Sequence, residues 1–236
     1  MTYIYLIALL LSHIIIMRAI KNKIVKKKIH KVFKIKVIMA PLSVVLSFLL
    51  IRVIELPLLE AGLTMGNSSA GIRSVMYIGL PLALISSALV FTTPKEELDQ
   101  VKYGNQKDIW TFIYVWVLVG PVEELLYRGF VQGTLSTLIK GKLFYFSYAT
   151  IIASVIFVLA HVTNVYTKNE SWRSFFSMVP TRFIAAMVLG FSFQVSDSLL
   201  YPIIIHNLID GFNLSALTYR KQKLKSENID NYKEES

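Results

Sequence analysis

The chain has 236 residues, of which 54% are hydrophobic and 17% charged, with a formal net charge of +10 and no cysteine. A soluble domain spends about a quarter of its residues on charge, so this composition, with a mean hydropathy of +0.55, points to a polytopic membrane protein. The missing thiols exclude disulfides, thiolate metal sites and a cysteine nucleophile. Lysine and arginine cluster between apolar runs rather than over a soluble surface, which argues against a nucleic-acid partner.

A bilayer core of about 30 Å takes roughly 20 apolar residues per helix. That length fits seven segments, at approximately 2–18, 37–56, 73–92, 109–138, 144–163, 175–193 and 199–217. The first lacks a basic leader and is followed by charges instead of a small-residue cleavage site, so it reads as a retained span. Segment 109–138 is too long for a straight crossing. It contains Gly120-Pro121, which can bend it or split off an eighth helix. The expected fold is therefore an all-α polytopic membrane bundle of seven to eight transmembrane helices with no separate soluble domain. Only the final SENIDNYKEES has a disordered composition.

Orientation follows from the basic loops. Between Arg18 and Lys36 lie nine basic residues and no acid, and the tail after Tyr219 begins RKQKLK. Under the positive-inside rule both are cytoplasmic and the N-terminus lies outside. Only Lys140 and Lys142 oppose this scheme. Two full crossings in 109–138 would put the basic tail outside, so one long bent crossing is the better reading.

Three apolar segments carry residues that lipid cannot explain. Ionisable groups in hydrocarbon cost on the order of a few kcal/mol or more, and each is a functional-site hypothesis. In GPVEELLYRGFVQG, Glu124 and Arg128 stand four apart on one helical face and can pair, whereas Glu123 is turned about 100° away and is free to face a cavity. Gly129 and Gly133 form a GxxxG pattern, which permits close packing. In FVLAHVTN, Phe157, His161 and Asn164 share a face; in HNLIDGFN, His206, Asp210 and Asn213 do the same, with Asn207 beside them. A buried network that only ties helices together would use such residues too. One water-filled cavity receiving two glutamates, two histidines and an aspartate satisfies all of them together and assembles the parts of a hydrolytic site. Glu123, His161, His206 and Asp210 are also chemically suited to a divalent metal such as zinc.

The order EExxxR at Glu123–Arg128, FxxxH at Phe157–His161 and HxxxD at His206–Asp210 resembles the three signature motifs of the CPBP family. This family of intramembrane proteases groups CAAX prenyl endopeptidases with bacteriocin-processing and self-immunity (Abi) proteins. The resemblance covers roughly 110–217. It implies N-terminal helices over 1–108, a catalytic membrane core over 109–218 and a cytoplasmic tail over 219–236. It also implies an endopeptidase of the cell membrane acting on a membrane-associated peptide or protein, with bacteriocin processing or self-immunity as the setting for a bacterial member. Carried over by position, Glu123 activates water with help from His161, His206 and Asp210 polarise the scissile carbonyl, and Glu124 with Arg128 shapes the site. Family members are described both as glutamate-type proteases and as metalloproteases; we expect no required cofactor, with zinc as the alternative. Neither HExxH nor GxSxG occurs in the chain. A transporter or proton relay using the same residues, and a non-catalytic immunity or scaffold protein, are the competing classes.

The topology is testable because the chain has no cysteine of its own. A single cysteine at Asn22 is expected to react with an impermeant maleimide only from the cytoplasmic face. Labelling of intact cells from outside reverses the orientation.

Overall fold

The structure is a computed structural model describing residues 3–25, 32–101, 104, 108–168 and 170–234. Residues 26–31 of the basic run lie outside the described residues. Among the described residues eight helices follow one another. They are α1 (Tyr3–Val25), α2 (Val32–Val53), α3 (Ser68–Thr92), the short α4 (Lys95–Gln100), α5 (Ile109–Leu138), α6 (Tyr148–Tyr166), α7 (Trp172–Ser196) and α8 (Leu200–Glu234). A two-residue hairpin between α5 and α6 pairs β1 (Lys142–Leu143) with β2 (Phe146–Ser147).

Among the described residues six helices are long and apolar enough to cross a membrane, namely α1, α2, α3, α5, α6 and α7. The seventh apolar segment forms the first half of α8, which then continues into the basic tail. The result is an all-α polytopic bundle. Helix starts are fixed by short polar side chains that accept from the first free N–H groups: Asn67 from Ala70, Asp108 from Trp110, Ser147 from Thr150 and Ser171 from Ser174. Helix α7 stops at Asp197, whose left-handed φ of 51° turns the chain toward α8.

Two features depart from the expectation. The SENIDNYKEES tail is helical as far as Glu234 rather than irregular. It contains neither glycine nor proline, and Lys223 sits 3.9 Å from Glu227 one turn later, so nothing in it stops a helix already nucleated by the apolar half of α8. Between the expected segments 73–92 and 109–138, where the reading above places no helix, lies α4. The long segment 109–138, by contrast, is one continuous helix, as the single bent crossing requires. It absorbs its irregularity in two π-helical stretches, Tyr114–Leu118 and Leu125–Gln132, which bracket Pro121. Such i→i+5 turns inside α-helices are rare and frequent at functional sites.

Helix α5 is the centre of the packing. Leu125, Phe130 and Val131 join Leu10 of α1, Ile51 of α2, Phe157 of α6 and Ala186 of α7 in one apolar cluster. A second cluster joins α3, α7 and α8 through Ala83, Leu189 and Ile205. Many large apolar side chains elsewhere remain exposed, including Ile4, Ile7, Leu84 and Ile85. In a bilayer those positions face lipid. The two glycines of the GxxxG pattern do permit close approach, but to backbone between α2 and α3 and not to another helix. A Cβ at Gly133 would lie 2.5 Å from the Glu60 carbonyl oxygen, and one at Gly129 would lie 3.2 Å from that of Ala61.

Gly133→Val therefore forces the Glu60 turn away from α5. Overpacking of this kind costs about 1–3 kcal/mol, and in a chain of this size each kcal/mol lowers the melting temperature by roughly 2–4 °C. Thermal unfolding in detergent is expected to show that loss; an unchanged midpoint contradicts the close approach.

Candidate active site

The crossing of α5 and α8 places the site. Gly120 makes it possible, because a Cβ there would meet the Ile203 carbonyl oxygen at 2.8 Å. One turn further along, the two glutamates of α5 come level with His206 of α8.

Glu124 and Arg128 are both completely buried. The Arg128 Nε lies 3.1 Å from Glu124 Oε2, close enough for an ion pair although neither atom meets hydrogen-bond geometry. The arginine is also held from two other helices: its Nη2 donates to the Ala186 carbonyl of α7 at 3.2 Å, and its guanidinium stands 5.0 Å from the Phe157 ring centroid of α6. The other carboxylate oxygen of Glu124 faces α8. His206 Nδ1 approaches Glu124 Oε1 at 2.7 Å. A carboxylate already paired with arginine accepts, so Nδ1 carries the hydrogen and Nε2 points the other way. There it faces Glu123 Oε2 at 3.9 Å and Asp210 Oδ2 at 3.7 Å.

The two sides of this histidine differ sharply. The Glu124 side is sealed, whereas the Glu123 and Asp210 side chains are 28% and 41% exposed. Of the six residues expected at the site, five are thus joined by direct charge contacts around His206. His161 is not. It sits at the break between the two parts of α6 and hydrogen-bonds to its own helix, Nδ1 donating to the Phe157 carbonyl at 2.9 Å. Because a carbonyl only accepts, the lone pair of His161 is on Nε2. The link to the rest of the cluster is the Phe157 ring, 4.9 Å from the His161 ring and 6.2 Å from that of His206. Tyr127 packs edge-on against the same ring at 5.0 Å. Phe157 is therefore the hub between α5, α6 and α8, a role that its place in FxxxH hints at. The Ala186 carbonyl left no trace in the sequence, since any residue supplies one.

Donors suited to a metal are present in kind. Among the described residues, however, no three histidine, aspartate or glutamate side chains are placed to share one ion. His206 Nδ1 is already committed to Glu124.

Residues 105–212, which contain every residue of the cluster, match the family described as type II CAAX prenyl endopeptidase Rce1-like. The chain is also similar to the membrane-embedded CAAX protease MroQ of Staphylococcus aureus (strain USA300), with 32% identity over 150 residues. That similarity covers 56% of this chain and 56% of the relative, so the chain matches little more than half of the relative's length. These comparisons support a likeness of the membrane core to the CPBP and CAAX protease family. No solved structure matches the chain.

Removing one partner of a buried ion pair costs about 3–5 kcal/mol, because the other charge is left without compensation. Arg128→Met is accordingly expected to melt well below the wild type in detergent. Adding Glu124→Gln to it removes the stranded charge and is expected to recover part of the loss. A single variant as stable as the wild type shows that the pair does not hold α5 in place.

Proposed function

We propose that the chain is an intramembrane endopeptidase that hydrolyses a peptide bond of a membrane-associated peptide or protein. The observation that supports this best is the position of His206: Nδ1 anchored by buried Glu124, and Nε2 turned toward two partly exposed carboxylates. Spacings of 3.7 and 3.9 Å exceed a direct hydrogen bond but let one water molecule bond to both partners. Glu123 is the general base in this reading. It takes a proton from the water as the oxygen attacks the scissile carbonyl carbon, while the Nε2 of His161 helps to hold that water. The carbonyl π electrons move to oxygen, and His206, protonated on Nε2, donates to the resulting oxyanion. Collapse of the intermediate expels the amine. Glu123 returns its proton to the leaving nitrogen, so the products are a carboxylic acid and an amine and the enzyme is regenerated.

Asp210 orients His206 through its 3.7 Å contact, since an ionised aspartate cannot donate to an oxyanion. Glu124 and Arg128 do not meet the substrate and serve to position His206. The cell membrane, with the basic tail in the cytoplasm, is the proposed location. Maturation of a membrane peptide, as in bacteriocin processing or self-immunity, is the proposed setting.

The test is cleavage of an unbiased peptide library by protein purified in detergent. General-base catalysis contributes about 10²–10⁴-fold, so Glu123→Gln is expected to lose at least two orders of magnitude while still inserting into the membrane. Asp210→Asn is expected to keep substantial activity, Asp210→Ala to lose it, and chelators to have little effect on the wild type. A Glu123→Gln protein that cleaves normally removes the base from the mechanism. Loss of both activity and a bound zinc in Asp210→Asn replaces it with a metalloprotease.

A further inference from the structure

Asn207 lies next to His206 on α8, and no step of the mechanism uses it. Its side chain crosses to α5 at the point where that helix is weakest. The Gly120 N–H donates to Asn207 Oδ1 at 2.9 Å. An N–H needs an acceptor, which fixes the oxygen of the amide there and turns the Nδ2 outward, to a long contact of 3.4 Å with the Val117 carbonyl. Val117 is the residue whose carbonyl bonds, in a regular α-helix, to the N–H of residue 121. Residue 121 is proline and has no N–H.

At membrane depth an orphaned backbone carbonyl finds no water and must be satisfied by protein. The Val117 side chain is 53% exposed on the outer face of the bundle, where lipid is the surrounding medium. Asn207 fills both needs with one group: it supplies the donor that Pro121 lacks and accepts from the glycine just before it. The close approach leaves no freedom in this arrangement, since a Cβ at Gly120 would come within 2.6 Å of Asn207 Oδ1. Gly120 is three residues ahead of Glu123, and Asn207 is bonded directly to His206.

We propose that Asn207 is a positioning residue, a polar splice across the Pro121 break that sets the height of Glu123 and Glu124 against His206. The site depends on two contacts of different tolerance, 2.7 Å from His206 to Glu124 and 3.9 Å from His206 to Glu123. Sliding α5 along α8 by a fraction of an ångström alters both together. Proline makes the break, and asparagine fixes where the broken helix comes to rest. An aspartate at 207 can accept from Gly120 but cannot donate to Val117, and it sets a further carboxylate beside His206. A leucine does neither.

The activity arm of the test rests on the endopeptidase reading; a second arm does not. Asn207→Asp and Asn207→Leu are expected to lower kcat per folded molecule at least tenfold with KM within about twofold, because the substrate surface is untouched while the reacting groups are displaced. Adding Pro121→Ala to Asn207→Asp restores an N–H for the Val117 carbonyl and is expected to recover much of the lost kcat. A residue that only stabilised the bundle would lower the yield and melting temperature and leave kcat of the folded fraction unchanged. For the second arm, Gly120 is the only glycine of the eleven that follows a valine. Labelling valine carbonyls with ¹³C and glycine with ¹⁵N therefore isolates its amide signal. That signal is expected to move upfield and exchange faster in Asn207→Leu. An unmoved Gly120 amide overturns the proposal even if activity falls, and so does an unchanged kcat. If the wild type cleaves no peptide, the endopeptidase reading fails, and the Gly120 signal alone decides whether Asn207 splices the break.

Discussion

A carboxylate and a guanidinium meet in the middle of α5 with no access to solvent, and the rest of the bundle is arranged around satisfying them. Each ion loses several kcal/mol of hydration on burial, a loss that mutual attraction offsets only with good geometry and further partners. Here the partners come from three other helices: the Ala186 carbonyl from α7, the Phe157 ring from α6 and His206 from α8. None of these helices can drift without exposing a charge to hydrocarbon. The apolar packing between them is non-directional and close to the packing they would find with lipid tails, so it cannot fix their register by itself. The polar groups supply that directionality.

The same constraint explains why α5 is irregular. A helix that must present Glu124 and Arg128 inward, Glu123 to an open side, and two glycines to the Glu60–Ala61 backbone is asked for more faces than a straight α-helix offers. The π-helical stretches at Tyr114–Leu118 and Leu125–Gln132 change the rotational phase of the side chains on either side of Pro121. Each such change costs regular hydrogen bonds. Those losses are tolerable where neighbouring protein groups such as Asn207 take up what is freed.

Much of this was legible in the sequence, and for a physical reason. In a chain that is 54% hydrophobic, every charge inside an apolar run is conspicuous, so the residues of the cluster announce themselves before their contacts are known. Spacing did the next part. Glu124 and Arg128 four apart pair as expected, and His206 and Asp210 four apart lie within 3.7 Å. What spacing could not supply was depth along the axis of one helix relative to another. His161 belongs to the same motif set, yet the break in α6 turns its Nδ1 back to the Phe157 carbonyl, and among the described residues it is the Phe157 ring that joins it to the cluster. The helical tail is not legible from its polarity, because composition reports whether a segment can bury a core and not whether a preceding helix can carry it along.

Two adjacent glutamates therefore meet different environments without differing in chemistry. Glu124 has no exposure, an arginine beside one oxygen and His206 against the other; Glu123, one residue away and partly open, has no arginine against it among the described residues and is, in our proposal, the group that takes the proton. Environments that separate two like groups are the usual way a protein divides catalytic roles. Here the separation needs no extra residues. It follows from the 100° that a helix turns between neighbours, which sends one side chain into the sealed centre of the bundle and the other to its open side.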